Sequence, residues 1–82
     1  MFVTYIIQSE STKEYYVGFT SDLDDRLRHH NSGATPSTRN GGPWKVVHVE
    51  RFSTKREAWL RERQIKSYKG GGAFKRLIGG VA

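Results

Sequence analysis

Two short runs of β-branched and aromatic residues, joined by a polar turn, constrain the fold of this 82-residue chain more than any other feature. Residues 2–8 read Phe-Val-Thr-Tyr-Ile-Ile-Gln, and residues 15–19 read Tyr-Tyr-Val-Gly-Phe. Such runs favour strands, and the polar residues 9–13 favour a tight turn between them. The start of the chain therefore predicts an antiparallel hairpin.

The register of this hairpin decides whether its two central tyrosines share a face. If Gln8 pairs with Lys13, Tyr5 lies opposite Tyr16. A slip of one residue would turn one of the tyrosines to the other face. A cross-strand aromatic pair is also an ordinary way to stabilise a sheet, by under about 1 kcal/mol.

The hairpin is followed by the pattern of a helix start. Thr20 or Ser21 can cap the helix, and acidic residues in its first turn suit the positive end of the helix dipole. The helix is predicted to end near Asn31, before Ser32 and Gly33. The acidic residues of the first turn are Asp22, Asp24 and Asp25. The dipole explains them without a metal site.

Two polar side chains border the apolar face of this first helix. At about 100° per residue, Leu23 and Leu27 form its buried stripe. By the same geometry Arg26 and His30 lie along one edge of that stripe, so both are predicted to point toward the sheet rather than toward open water. Taken singly, Arg26 can also be a surface residue whose stem covers the leucines, and His30 a residue favoured by the dipole at the helix end.

The second half of the chain predicts one further strand and two further helices. Residues 32–43, rich in Gly, Ser, Thr and Pro, favour a loop. Residues 44–50 favour a strand, residues 54–69 a helix, and residues 73–78 a last short helix. The order β-β-α-β-α-α in so short a chain predicts a single α+β domain, residues 1–82, with a small, mainly antiparallel three-stranded sheet flanked by helices.

One carboxylate falls on the predicted core-facing stripe of the second helix. Glu62 lies between Ala58 and Ile65 on that stripe, and a buried carboxylate needs a partner. A salt bridge to Arg26 or to a neighbouring lysine is the plain alternative to a functional role. Trp59 and Leu60 project elsewhere, which predicts that the helix is covered on more than one side.

Composition narrows the partners and excludes several kinds of site. The chain has 14 Lys and Arg against 8 Asp and Glu, a net charge of +6, which favours nucleic acid or another anionic surface. Cysteine is absent, which excludes disulfides, thiolate catalysis and sulfur-based zinc sites. No apolar run reaches the roughly 20 residues of a membrane span, and the N-terminus does not have the pattern of a signal peptide. We expect a cytoplasmic protein.

The ordered set of chemical groups resembles the GIY-YIG nuclease superfamily, in particular its short, single-domain bacterial branch related to structure-selective junction nucleases. The first motif is Val-Thr-Tyr ending at Tyr5, where the family has Gly-Ile-Tyr, and the second is Tyr-Val-Gly beginning at Tyr16. The remaining matches are Arg26, His30 and Glu62. The resemblance extends over residues 2–78.

This resemblance implies a metal-dependent endonuclease that hydrolyses phosphodiester bonds in DNA, including branched or flapped forms. The implied catalytic residues are Tyr5, Tyr16, Arg26, His30 and Glu62. Glu62 would hold one Mg²⁺ or Mn²⁺ ion, and Arg26 would contact the scissile phosphate. Either tyrosine can be the general base, with Tyr16 preferred, and His30 would orient a tyrosine or bind a phosphate oxygen.

A non-catalytic nucleic-acid-binding module that grips phosphate with the same residues is the alternative, and RNA is a further candidate partner besides DNA. A protein partner for specificity is open. The basic residues expected to contact nucleic acid are Arg39, Lys45, Lys55, Arg56, Arg63, Lys66, Lys69, Lys75 and Arg76.

Overall fold

A computed structural model describes residues 1–33 and 42–79 and contains three strands and three helices. The elements are β1 (Phe2–Ser9), β2 (Tyr15–Thr20), α1 (Leu23–Ser32), β3 (Trp44–Phe52), α2 (Lys55–Ser67) and α3 (Gly72–Leu77). The sheet has the order β2-β1-β3, and both pairings are antiparallel. The α+β class and the order of elements are as predicted, whereas most of the predicted loop 32–43 lies outside the described residues.

The predicted hairpin register is wrong by two residues. Tyr5 pairs with Gly18, and Ile7 pairs with Tyr16. Because side chains alternate between the two faces of a strand, a shift of two residues changes the pairing but not the face. Tyr5 and Tyr16 therefore lie on the same face as diagonal neighbours rather than opposite each other.

The connection between β1 and β2 explains this shift, because it is longer than predicted. The hydroxyl of Ser9 accepts hydrogen bonds from the backbone N–H groups of Ser11, at 3.2 Å, and Thr12, at 2.9 Å. Lys13 has a left-handed backbone with φ 67°. Instead of pairing with Lys13 as a strand residue, Gln8 donates its side-chain amide to the Lys13 carbonyl at 3.2 Å. These hydrogen bonds stabilise the longer turn, so Gln8 pairs with Tyr15 rather than with Lys13.

The sheet carries a separate apolar cluster on each face. The cluster on the α1 face has as its buried members Tyr5, Ile7 and Trp44. Leu23 and Leu27 pack against it, as their spacing predicts. The cluster on the other face, beneath α2 and α3, has as its buried members Ile6, Val17, Ile65 and Phe74. Alternation along β1 therefore supplies buried residues to both clusters.

Helix α1 is capped one residue later than predicted. Asp22, rather than Thr20 or Ser21, is the N-cap and accepts a hydrogen bond from the backbone N–H of Asp25 at 3.1 Å. Thr20 precedes the helix, and its hydroxyl accepts a hydrogen bond from the backbone N–H of the Asp22 N-cap at 3.1 Å. Gly33, with φ 80°, ends the helix at the predicted place. A capping role for the first acidic residue supports its dipole interpretation.

An ion-paired cluster fastens α2 to β3. Arg61 donates from Nε to both carboxylate oxygens of Glu50, at 3.0 and 3.1 Å, and His48 Nε2 lies 2.7 Å from the same carboxylate. Burial acts to raise the pKa of Glu50, but the hydrogen bonds from Arg61 and His48 outweigh it and hold that pKa below its ordinary value. The contacts of Glu50 with Arg61 therefore join β3 to α2, the helix that carries Glu62.

The prediction that α2 is covered on more than one side is wrong for the described part of the chain. Trp59 is 37% exposed and Leu60 is 46% exposed, so the side of α2 that carries them is left open.

Residues 1–33 and 42–79 include no helix long and apolar enough to cross a membrane.

Candidate active site

A cleft of about 570 Å³ opens at the end of the sheet where β2 leads into α1. The groups around it come from β1, β2, α1 and α2, and the chemically relevant ones are Tyr5, Tyr16, Gly18, Arg26, Lys55 and Glu62. Both faces of the sheet contribute, since Tyr5 and Tyr16 belong to the α1 face and Glu62 to the α2 layer. Four of the five predicted catalytic residues thus line one cavity.

The fifth residue, His30, lies behind the two tyrosines. Its side chain is 1% exposed, and Nε2 is 3.0 Å from the Tyr5 hydroxyl. The ring centroids of His30 and Tyr16 are 4.8 Å apart. His30 therefore points toward the sheet, as predicted, and contacts both phenol rings at once.

The environment keeps Tyr5 and His30 uncharged. Burial raises the pKa of the Tyr5 phenol far above its ordinary value, and Tyr16 and Glu62 add to this against the opposing effect of Arg26. Burial also lowers the pKa of His30, with a further contribution from the positive charge of Arg26. At neutral pH the hydrogen bond between them joins a protonated phenol and a neutral imidazole. This hydrogen bond holds the two rings in position relative to each other.

Gly18 makes room for the Tyr5 ring, a role that the sequence analysis missed. A Cβ atom built on Gly18 would lie 2.6 Å from the Tyr5 hydroxyl oxygen and 2.8 Å from Cζ, closer than real Cβ contacts come. Tyr5 thus crosses directly over the backbone of the paired strand. A glycine inside a strand is itself a signal of close approach, and it could have pointed to this contact.

We expect Gly18→Ala to displace the Tyr5 ring and to lower the free energy of unfolding by about 1–3 kcal/mol, the usual cost of overpacking. Urea unfolding measures the loss. Gly72→Ala is the matched control, because its Cβ would lie 3.6 Å from an Arg76 nitrogen, an ordinary contact, in a helix. That control should be neutral or slightly stabilising. An unchanged midpoint for Gly18→Ala would contradict the described packing.

Arg26 and Glu62 face the cleft from opposite layers. Arg26 is exposed, so the prediction that it turns away from open water is wrong, although it does line the cleft. The Glu62 side chain is 14% exposed, as its place on the inner stripe predicts. Its ion-pair partner is Lys66, with Nζ 3.5 Å from Oε2 and a side chain that is 54% exposed.

The donor set around Glu62 is small. Within residues 1–33 and 42–79, no group of three or more His, Cys, Asp or Glu side chains gathers as a metal-binding cluster. Among the described residues that line the cleft, Glu62 is the acidic one. A cation there would take this carboxylate and complete its shell with water and phosphate oxygens, which is how Mg²⁺ is commonly held. The acidic first turn of α1 forms no such cluster either.

The basic residues expected to contact nucleic acid are spread over several surfaces. Lys66 and Lys69 line a neighbouring cleft of about 350 Å³ that shares Tyr16 with the first. Lys45 is exposed on β3, and Arg63 lies over the ring of Trp59. Arg39 lies outside the described residues.

Comparison with known proteins finds relatives over most of the chain. The model of the GIY-YIG catalytic domain matches residues 1–73. A UPF0213 protein from Haloquadratum walsbyi is 42% identical over 65 residues, covering 78% of this chain and 72% of that protein. A UPF0213 protein from Halobacterium salinarum is 40% identical over 63 residues, covering 76% of this chain and 80% of that one.

The solution NMR structure of a UPF0213 protein from Bacillus halodurans is similar to this chain, with 31% identity, a TM-score of 0.48 and coverage of 89% of this chain and 90% of that chain.

The family match extends over both tyrosine motifs, α1 and the whole of α2. The resemblance read from the sequence is thereby confirmed, and the chain belongs to the GIY-YIG family.

Proposed function

We propose that this protein is an endonuclease that hydrolyses phosphodiester bonds in DNA, including branched or flapped forms, with one Mg²⁺ or Mn²⁺ ion held by Glu62. The observation that carries the proposal is the convergence of two phenols, a guanidinium and a carboxylate on one cleft. Membership of a family defined by a catalytic domain adds support for nuclease chemistry.

The residues present fit a single hard cation. Glu62 offers oxygen ligands at the wall of the cleft, and Mg²⁺ prefers oxygen and retains most of its water. The ion pair with Lys66 is weak because that lysine is half exposed, so the carboxylate can be released at little cost. A bound ion would supply Lewis-acid stabilisation of the phosphate and of the leaving oxygen.

Arg26 is the group proposed to bind the scissile phosphate. Arg26 is exposed and lines the cleft, so a nucleic-acid backbone can reach it from solvent. The planar fork of arginine makes paired hydrogen bonds to phosphate oxygens, and its charge stabilises the negative charge that develops in the transition state.

Tyr16 is the proposed general base. The raised pKa of Tyr5 and its hydrogen bond with His30 make Tyr5 a weak candidate for accepting a proton from water. Tyr16 is half-buried and lines the same cleft, and its ring packs on neutral His30. In this assignment His30 is a positioning residue for both phenols, and Tyr5 fixes His30.

The direct test measures cutting of labelled single-stranded, duplex and branched DNA, with RNA as competitor, in Mg²⁺, Mn²⁺ or EDTA. We expect metal-dependent cleavage that is fastest on branched DNA. Arg26→Ala should lower kcat by about 10²-fold, the usual effect of removing one charge-stabilising donor. Arg28→Ala is the matched control, since that arginine lies on the same helix with its side chain 72% exposed and outside the cleft.

Salt-sensitive binding without cutting in either metal would contradict the enzyme. It would leave a phosphate-gripping module as the function of the same residues. Loss of cleavage in Arg28→Ala equal to that in Arg26→Ala would show that general charge, rather than the cleft, is responsible.

A further inference from the structure

Helix α2 presents an exposed aromatic ring among positive charges. Trp59 is 37% exposed, although tryptophan is usually well buried. The guanidinium carbon of Arg63 lies 5.0 Å from the centroid of its ring, a cation–π contact that fixes the indole and adds charge beside it. Lys55 and Arg56, one turn earlier, are exposed as well.

This ring is part of a surface continuous with the catalytic cleft. A second cleft, of about 670 Å³, is lined by Phe19, Lys55, Arg56, Trp59 and Glu62. Phe19, Lys55 and Glu62 also line the catalytic cleft. The two clefts therefore adjoin at these three residues, and a strand of nucleic acid whose phosphate lies beside Glu62 has the Trp59 cleft next to it.

The spacing along α2 suits neighbouring nucleotides. Trp59 and Glu62 are three residues apart, so they lie on one side of the helix and about 4.5 Å apart along its axis. Successive nucleotides of a stacked DNA strand rise by about 3.4 Å. For a strand that runs along α2, a base one or two positions from the phosphate in the catalytic cleft would therefore lie beside the indole.

We propose that Trp59 is a stacking platform for an unpaired base beside the scissile phosphate, so that the substrate class is DNA that is single-stranded next to the cut. This deepens the proposed function and rests on it for the neighbouring catalytic cleft. A base inside a duplex is covered on both faces by its neighbours and cannot stack on the indole. The surrounding cations neutralise the phosphates of that strand, as in other single-strand grooves.

A binding experiment in EDTA tests this without cleavage. The probes are a thymidine oligonucleotide and a blunt duplex, followed by fluorescence anisotropy of the labelled DNA and by intrinsic tryptophan emission. We expect single-stranded DNA to quench the emission of the wild type, and Trp59→Phe to lose most of that quenching while binding within about twofold. The buried Trp44 contributes the same signal to both proteins. Trp59→Ala should weaken single-strand binding about 5- to 150-fold, as stacking energies predict.

The control is Leu60→Ala, an apolar residue of the same helix that is 46% exposed and does not line either cleft. It should change neither the single-strand affinity nor the duplex affinity, and Trp59→Ala should leave duplex affinity unchanged.

The inference is overturned if Trp59→Ala weakens the binding of both DNA forms equally or if bound single-stranded DNA leaves the tryptophan emission unchanged. It is also overturned if the substitution alters only self-association on a sizing column. The binding test is done without metal, so its outcome does not depend on whether the protein cuts DNA. Normal cutting of branched DNA by Trp59→Ala would contradict the stacking role of Trp59 and leave the proposed nuclease function intact.

Discussion

Replacing Glu62 by glutamine is expected to lower the metal-dependent cleavage rate by about 10³- to 10⁴-fold. The amide keeps the shape of the side chain but removes the charge proposed to hold the cation, and Lewis-acid stabilisation by a metal is worth several kcal/mol. Stability should change by less than about 1 kcal/mol, because the lost ion pair with Lys66 is half exposed. Single-turnover cleavage across a Mg²⁺ series and urea unfolding measure the two effects.

Glu10→Gln provides the matched control for this change. Glu10 is exposed and lies outside the cleft, in the turn between β1 and β2, so the same loss of charge should leave cleavage unaltered. A Glu62→Gln protein that cuts at the wild-type rate with the same Mg²⁺ dependence would remove Glu62 from the metal site. The proposed mechanism would then fail.

The second large effect is expected at Tyr16. Tyr16→Phe should reduce kcat by about 10²- to 10⁴-fold, the range for a lost general base, with little change in stability. Tyr5→Phe should behave differently, because it removes the hydroxyl 3.0 Å from buried His30. We expect it to cost about 1–3 kcal/mol of stability and to reduce cleavage less than Tyr16→Phe does.

Cleavage rates and urea midpoints of the two phenylalanine variants, measured side by side, decide between the tyrosines. A fully stable Tyr5→Phe protein without cleavage, beside an active Tyr16→Phe protein, would reverse the assignment. Equal losses of cleavage with unchanged stability in both would mean that the phenols act as a unit.

Local sequence pattern was sufficient for the order of the elements and for the placement of two candidate site residues. The period of the first helix placed His30 toward the sheet, and that of the second placed Glu62 on an inner stripe, as the structure has them. Both conclusions need only the geometry of a helix and knowledge of which face is apolar. The convergence of these residues on one cleft followed from the family resemblance.

The errors in the hairpin register and in the first helix cap arose where side chains compete with the backbone for hydrogen bonds. The Ser9 hydroxyl stabilises a longer turn and moves the register by two residues. Asp22 takes the N-cap from Thr20, which binds the backbone of Asp22 instead. Several short polar residues in a row offer alternatives of similar energy, and only the folded chain selects among them.

Two further features depend on contacts between distant elements. Gly18 matters because a tyrosine from the adjacent strand crosses it. The exposure of Trp59 depends on which surfaces of α2 are left uncovered by the rest of the chain. Neither follows from periodicity, which reports the face of a residue but not its neighbours.

The division of the site between the two halves of the chain has a consequence for biosynthesis. The phenols, the guanidinium and the imidazole all belong to residues 1–33, while the carboxylate belongs to α2, which follows β3 in the chain. A nascent polypeptide that has emerged only as far as α1 lacks the acidic group altogether. Nuclease activity, as proposed, would therefore begin only when translation has passed α2 and that helix has docked.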